Sequence, residues 1–139
     1  MMKDVKIVIG ANAGDEGKGL MTDYFSQKPN SIVVCSNGGS QRGHTVMTPD
    51  GIRHVFHHFG SGTFNGAVTY LSKEFIVNPL IFVQEFKELI NKGVVPIVYA
   101  HSDCMVSTPY DMMANHIVEE NRGKQKHGSC GLGIFETIK

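Results

Sequence analysis

The sequence predicts an α/β fold, with a largely parallel sheet, flanking helices and a small β-hairpin insertion. Short apolar runs of strand length alternate with longer segments of helical periodicity along the chain, the pattern of βαβ units. The first run, Val5 to Ile9, feeds straight into a glycine-rich loop, Gly10-Ala11-Asn12-Ala13-Gly14-Asp15-Glu16-Gly17-Lys18-Gly19. With 139 residues, 41% of them hydrophobic, the chain is the size of one domain and can bury a core.

Each element has its own justification. Val5 to Ile9 reads as the first strand, and a helix starts at about Lys18, with apolar pairs Leu20/Met21 and Tyr24/Phe25 one turn apart before Pro29 stops it. Ile32 to Cys35 reads as a strand, followed by the polar loop Ser36 to Thr45. Pro49-Asp50-Gly51 is a turn between two short strands, the hairpin insertion. Asn78 is a good N-cap, with Pro79 at the first helical position. Phe82, Val83, Phe86, Leu89 and Ile90 form one stripe, and Gly93 closes that helix. Val94 to Ala100 is a further apolar strand. Thr108-Pro109-Tyr110-Asp111 then opens a last helix in a capping-box pattern, whose Tyr110/Met113/Ala114/Ile117 face is expected in the core. The C-terminal stretch is glycine-rich, and no internal repeat, linker or low-complexity segment interrupts the chain.

Composition narrows the partners. Thirteen Lys and Arg balance thirteen Asp and Glu, which argues against general binding of nucleic acid or an anionic membrane and leaves room for a local phosphate site. No apolar run approaches the ~20 residues that span a bilayer, and the start Met1-Met2-Lys3-Asp4 lacks a signal-peptide profile, so a cytoplasmic protein is expected. Cys35, Cys104 and Cys130 are odd in number and widely spaced, which fits reduced thiols rather than a disulfide framework or a zinc site.

The opening loop carries the chemistry. Glycines let successive N–H groups point into one concavity, and the helix beginning near Lys18 adds its positive dipole end, so the loop is expected to hold a phosphate. It is not an ordinary Walker A sequence: Asn12 stands where the first glycine would be, and Gly19 replaces the magnesium-binding Ser or Thr. Asp15 would repel a phosphate unless it binds a metal ion or takes a proton from a second substrate. The competing view is a structural turn with Lys18 as a solvated charge, although a lysine in the first helical turn opposes the dipole unless an anion compensates it. In a parallel sheet the loops after two strands line one crevice, so His44 is expected near Asp15 and Lys18, able to protonate a phosphoryl or carbonyl oxygen; a loop histidine bonded to backbone is the plainer alternative.

Together these residues resemble the adenylosuccinate synthetase family. Gly14 to Gly19 match its opening G-D-E-G-K-G-K, with Leu20 departing at the last lysine. Gly38, Gly39, Gly43, His44 and Thr45 match its G-G-x-N-A-G-H-T, and His57, Ser61 and Gly62 fit H-x-x-P-S-G with Gly60 in place of proline. Asn78-Pro79 matches the start of the family's next helix. Arg122-Gly123-Lys124 and Gly128 to Ile134 look like its R-G-x…G-T-T-G-R-G-I stretch. The resemblance covers almost the whole chain, yet family members are much longer. It implies a P-loop NTPase-like fold, in which residues 1–139 form a single domain, the N-terminal nucleotide-binding part of a synthetase.

The resemblance also implies an activity. In that family GTP and magnesium drive phosphorylation of the IMP carbonyl oxygen, and the amine of L-aspartate then displaces the phosphate to give adenylosuccinate. By position, Asp15 would be the general base and a magnesium ligand, Lys18 would stabilise the phosphates, and His44 would be the acid. Gly43 would offer magnesium its carbonyl. Gly14, Asp15, Glu16, Gly17, Lys18, Gly19 and Leu20, with Gly43, His44 and Thr45, would hold GTP, or ATP in its place. Asp15, Lys18, Gln41, Arg42, Gly43, His44 and Cys130 would meet the purine monophosphate. The departures gather on that monophosphate side: Gln41 and Arg42 stand for asparagine and alanine, Cys130 for a threonine and Leu132 for an arginine. Arg42 would either add a charge-assisted bond to a phosphate or block the site. Phage-type relatives that make 2-aminoadenylosuccinate from dGMP with ATP supply a second reading, though they tend to lose the aspartate kept here as Asp15. A third is a truncated nucleotide-binding module without turnover. The resemblance further implies a homodimer. His54, His57 and His58 are expected to be ordinary strand and loop residues, because His57 and His58 on a strand face opposite ways and cannot chelate one ion.

Overall fold

A computed structural model describes residues 4–12 and 14–139; Met1, Met2, Lys3 and Ala13 lie outside the described residues. Helix α1 (Lys18–Phe25) leaves the glycine-rich loop. Strand β1 (Ile32–Cys35) follows, then β2 (Gly38–Gly39), β3 (His44–Met47), β4 (Arg53–Phe56), β5 (Val68–Leu71) and β6 (Phe75–Val77). Helix α2 (Pro79–Asn91), strands β7 (Val98–Ala100) and β8 (Met105–Val106), helix α3 (Pro109–Asn121) and the short α4 (Ile134–Ile138) complete the order.

The strands form two parallel three-stranded sheets, β1-β5-β7 and β2-β6-β8, and one antiparallel hairpin, β3-β4. The mixed α/β class, the parallel pairing and the hairpin insertion are as the sequence predicts. One element differs. The run Val5 to Ile9 is extended chain without strand pairing, and Val5, Ile7 and Ile9 are exposed, because among the described residues no strand lies beside it to complete its hydrogen bonds. The strand expected over Val94 to Ala100 shrinks to Val98–Ala100, since Pro96 has no N–H to give to a ladder. Strands β5 and β6, which the sequence pattern left unread, supply the middle of both parallel sheets.

The two long helices start as their sequences dictate. Asn78 Oδ1 accepts hydrogen bonds from the N–H groups of Leu80 (3.1 Å) and Ile81 (3.2 Å), and Pro79 occupies the position whose N–H would have no partner. Gly93 takes φ of 81° just past the end of α2, a left-handed conformation that glycine adopts without strain. Thr108 and Asp111 close a reciprocal capping box on α3.

Two adjoining clusters make the core. Val46, Phe56, Phe59 and Leu89 join the hairpin to α2, with Phe82 and Phe86 packed against them; Cys35, Leu71 and Phe75 join the two sheets. Fully burying each such phenylalanine or leucine contributes roughly 1.5–3 kcal/mol, so the hairpin is anchored as firmly as the sheets. The α3 stripe does not share in this. Tyr110 is 81% exposed, Met113 58% and Ile117 56%, which corrects the expected core role: the capping box forms the helix, but no described element covers that face. The sheet β1-β5-β7 is also one-sided. Cys35 and Leu71 point into the core, whereas the register row Val34, Tyr70 and Tyr99 lies on the opposite face, with Val34 58% and Tyr99 63% exposed. Parallel sheets are ordinarily covered on both faces.

Candidate functional site

Three residues in the loop ahead of α1 adopt positive φ: Gly14 at 126°, Asp15 at 57° and Gly17 at 79°. Two are glycines, for which this is easy, but Asp15 is held where a side chain rarely sits, a strain of the kind that gathers at functional positions. The winding turns backbone N–H groups inward. Those of Asn12 (2.9 Å) and Gly14 (3.1 Å) both donate to Glu16 Oε1, and the Lys18 ammonium donates to Glu16 Oε2. The loop is therefore an anion cradle, with two N–H groups and a lysine converging on one carboxylate. The Lys18 ammonium, with the Gly14 N–H next, holds the Glu16 carboxyl down at about 2. Gly10 leaves room for this pairing, since a Cβ there would lie 2.8 Å from the Glu16 carboxylate and from Lys18 Nζ and would make those side-chain ends shift.

His44 reaches the same place from the other side. A Cβ on Gly19 would come within 2.8 Å of His44 Cβ, so this glycine lets the first turn of α1 rest on the start of β3. Lys18 and His44 are thus neighbours, brought together by α1 packing on β3 rather than by two adjacent parallel strands. Burial first, then the nearby Arg42 and Lys18 cations, push the half-buried His44 imidazole below its ordinary value. Gly43 and Thr45 flank it and are exposed, as are Asp15, Gly17, Leu20 and Gln41. Among the described residues no group of three His, Cys, Asp or Glu side chains is arranged to hold a metal ion. A magnesium site here would have one carboxylate, Asp15, with phosphate and water oxygens, a donor set this ion commonly takes.

Arg42 lies differently from the sequence expectation. Its guanidinium turns inward, donating to the carbonyls of His57, His58 (3.0 Å) and Phe59 (3.2 Å) and to Cys35 Sγ (3.1 Å), and it stacks 4.8 Å from the Phe75 ring centre. Its Nε and Nη2 are used within the protein. Cys130 is exposed on the connection between α3 and α4; beside it, Ser129 Oγ donates to Asn115 Oδ1 (2.6 Å) and Gly131 packs on the His116 ring. That end of the chain approaches the second loop at Leu132, which with Ser40, His57, Ile81, Gln84 and Glu88 lines a pocket of about 260 Å³.

Sequence reasoning missed Glu85. This residue of α2 is 2% exposed, and its carboxylate accepts from the N–H groups of His57 (2.9 Å), His58 (2.7 Å) and Phe59 (3.4 Å). The rings of His54 and His58 face it at 3.6 and 3.5 Å. Asn78 N–H donates to His58 Nε2 (3.0 Å) and Lys92 Nζ to His54 Nδ1 (2.8 Å), which leaves the hydrogen of each neutral ring on the nitrogen nearer Glu85. Burial raises the Glu85 carboxyl, but the two rings and the N–H groups outweigh it and hold it at about 2. The signal was present in the sequence: Glu85 is three residues past Phe82 and four before Leu89, a charge on the apolar stripe. Strand β4 ends at Phe56, so His57 and His58 sit in the bend beyond it rather than on alternate strand faces.

Comparison with known proteins places these features in a family. The family model described as adenylosuccinate synthetase matches residues 7–139. An adenylosuccinate synthetase of Mesoplasma florum is 38% identical over 135 residues, covering 96% of this chain and 31% of the relative, and one of Borrelia duttonii is 32% identical over 127 residues, covering 91% and 29%. This chain thus spans about three tenths of the length of these relatives. Its fold is similar to fully ligated adenylosuccinate synthetase from Plasmodium falciparum, with a TM-score of 0.72 at 23% identity over 93% of this chain and 31% of that one. It is also similar to the succinoaminodeoxyadenylate synthetase of cyanophage S-2L, bound to dGMP and dATP, with a TM-score of 0.60 at 16% identity over 91% and 40%.

Proposed function

The chain belongs to the adenylosuccinate synthetase family, and from that membership we propose that it serves purine nucleotide synthesis as the nucleotide-binding part of a ligase. The reaction is the GTP- and magnesium-dependent joining of L-aspartate to IMP, which gives adenylosuccinate. One observation carries this reading: the loop around Glu16 is an anion cradle, with two N–H groups and Lys18 aimed at a carboxylate that stands where a phosphate oxygen would sit.

In this reading an incoming phosphate displaces the Glu16 carboxylate and takes over Lys18 and the N–H groups of Asn12 and Gly14. Residues 14–20 and 43–45 surround the nucleotide. Asp15, held at the rim of the loop, draws the proton from the purine so that its carbonyl oxygen can attack. His44, packed on Gly19, is directed at the transferring phosphoryl, where a hydrogen-bond donor stabilises growing charge. An imidazole held low by burial and by the Arg42 and Lys18 cations gains basicity beside a dianion, so a bound nucleotide would favour the protonated His44 that acts as the acid. Magnesium, held by Asp15 and the Gly43 carbonyl, would supply charge neutralisation on the phosphates. Gln41 and Cys130 are assigned to the monophosphate; Arg42 is not, because its guanidinium is turned inward onto the backbone of residues 57–59. A cytoplasmic homodimer belongs to the same reading, and among the described residues no helix is long and apolar enough to cross a membrane.

A second substrate pair, dGMP with ATP, is favoured by Gln41, Cys130 and Leu132, which depart from the family pattern on the monophosphate side. The fold neighbour from cyanophage S-2L is described with dGMP and dATP bound. Purified protein given GTP or ATP, magnesium, aspartate and either IMP or dGMP decides: succinylated product from one monophosphate names the substrate. Nucleotide binding without product makes the chain a module that needs the rest of a family-length protein, and absence of nucleotide binding sinks the reading.

A further inference from the structure

We propose that Arg42 is a positioning residue for His44, gripping the backbone of residues 57–59 by its carbonyls while Glu85 grips the same three residues by their N–H groups; this rests on the role given to His44 above. The two oppositely charged side chains hold one stretch of polypeptide between them. Glu85 accepts from the N–H groups of His57, His58 and Phe59, and Arg42 donates to the carbonyls of the same three residues. The peptide units 57–58 and 58–59 therefore have their carbonyl on the cation and their N–H on the anion, the orientation that electrostatics favours.

The grip extends to the Arg42 main chain. Its carbonyl is bonded to His57 Nδ1, and its N–H donates to the Gly39 carbonyl (3.1 Å), so residue 42 is tied on both sides. His44 is two residues further on and stands opposite Phe56 in the β3-β4 register, immediately before the gripped segment. The hairpin is thus pinned at its open end, where His44 meets Gly19. Removing the pin would leave the hairpin held by Val46 and Phe56 in the core, with its open end, and His44 on it, less closely fixed against Gly19 and Lys18.

A lysine would keep the charge at position 42 but could not reproduce the planar fork that reaches three carbonyls. Alanine, which the family pattern has here, would remove both. The test uses Arg42→Ala and Arg42→Lys in the full chain, read by amide hydrogen exchange, by the NOE between His44 β protons and Gly19 α protons, and by GTP binding with magnesium. In both variants the amides of residues 43–45 and 57–59 should exchange about tenfold faster or more, since each lost hydrogen bond of this charged kind contributes that much. The NOE should weaken and GTP affinity should fall about tenfold by the same reasoning, while α2 amides such as Leu89 keep their rates. The proposal is overturned if Arg42→Lys behaves as the parent, if exchange accelerates equally throughout α2, or if Arg42→Ala leaves the NOE and GTP affinity unchanged. Should the parent chain bind no nucleotide, the phosphate reading fails, and exchange and the NOE still decide the positioning role.

Discussion

The Glu16 carboxylate and the Lys18 ammonium are in direct contact inside the loop that leads into α1, so the lysine expected to meet a phosphate is already paired with an anion of its own chain. In the proposed function, entry of a nucleotide would exchange one anion for another, and the affinity measured would be the difference between them. Glu16→Gln weakens the resident competitor without emptying the space. Pyrophosphate and GTP are expected to bind several-fold tighter to this variant by calorimetry, and Lys18→Ala should lose about tenfold or more with the charge-assisted bond. Weaker binding by Glu16→Gln would show that the carboxylate assists the nucleotide instead of mimicking it.

Gly19→Ala tests the junction of the loop with His44. The new methyl would lie 2.8 Å from His44 Cβ, tighter than side chains tolerate, and must push α1 and β3 apart. A stability loss of about 1–3 kcal/mol by urea denaturation is expected, together with reduced GTP binding. The paired loss matters, because a purely stabilising contact would lower the first alone.

Glu85 gives a pH dependence with a defined sign. Its carboxyl is held at about 2 in the folded chain against 4.5 unfolded, so the stability it contributes is fully present above pH 4.5 and drains away as pH falls from 4.5 toward 2. Denaturation midpoints across that interval should decline more steeply for the parent than for Glu85→Gln. At neutral pH, Glu85→Ala should cost at least ~3 kcal/mol, because three N–H groups lose their acceptor.

Thr108→Ala removes the side-chain acceptor of the α3 capping box, and a loss of about 0.5–2 kcal/mol in thermal or urea unfolding is expected. The loss should fall near the lower bound, since α3 buries none of its own residues fully and its unravelling disturbs little else.

Local chemistry was the legible part of this fold. Asn78-Pro79, the Thr108/Asp111 box, Pro49-Asp50-Gly51 and the start of α1 all act within a few residues of themselves, and all appear where their sequences put them. Val5 to Ile9 and the Tyr110/Met113/Ile117 stripe have equally clear periodicity but need a partner element, and none of the described residues provides one. The site divides along the same line. The neighbourhood of Lys18 and His44 was expected from strand order but is made by α1 resting on β3 at Gly19, and the inward turn of Arg42 and the burial of Glu85 depend on contacts 15 to 28 residues away along the chain. A charge on an apolar helix stripe was the one local trace of that arrangement.

The uncovered row of Val34, Tyr70 and Tyr99 has a practical consequence for anyone who handles the chain. Water meets a contiguous apolar surface there, so solubility should fall with rising concentration and with added sulfate, and the dye ANS should light up on the native chain without any denaturant. In a cell, that surface is the kind of ground on which chaperones dwell.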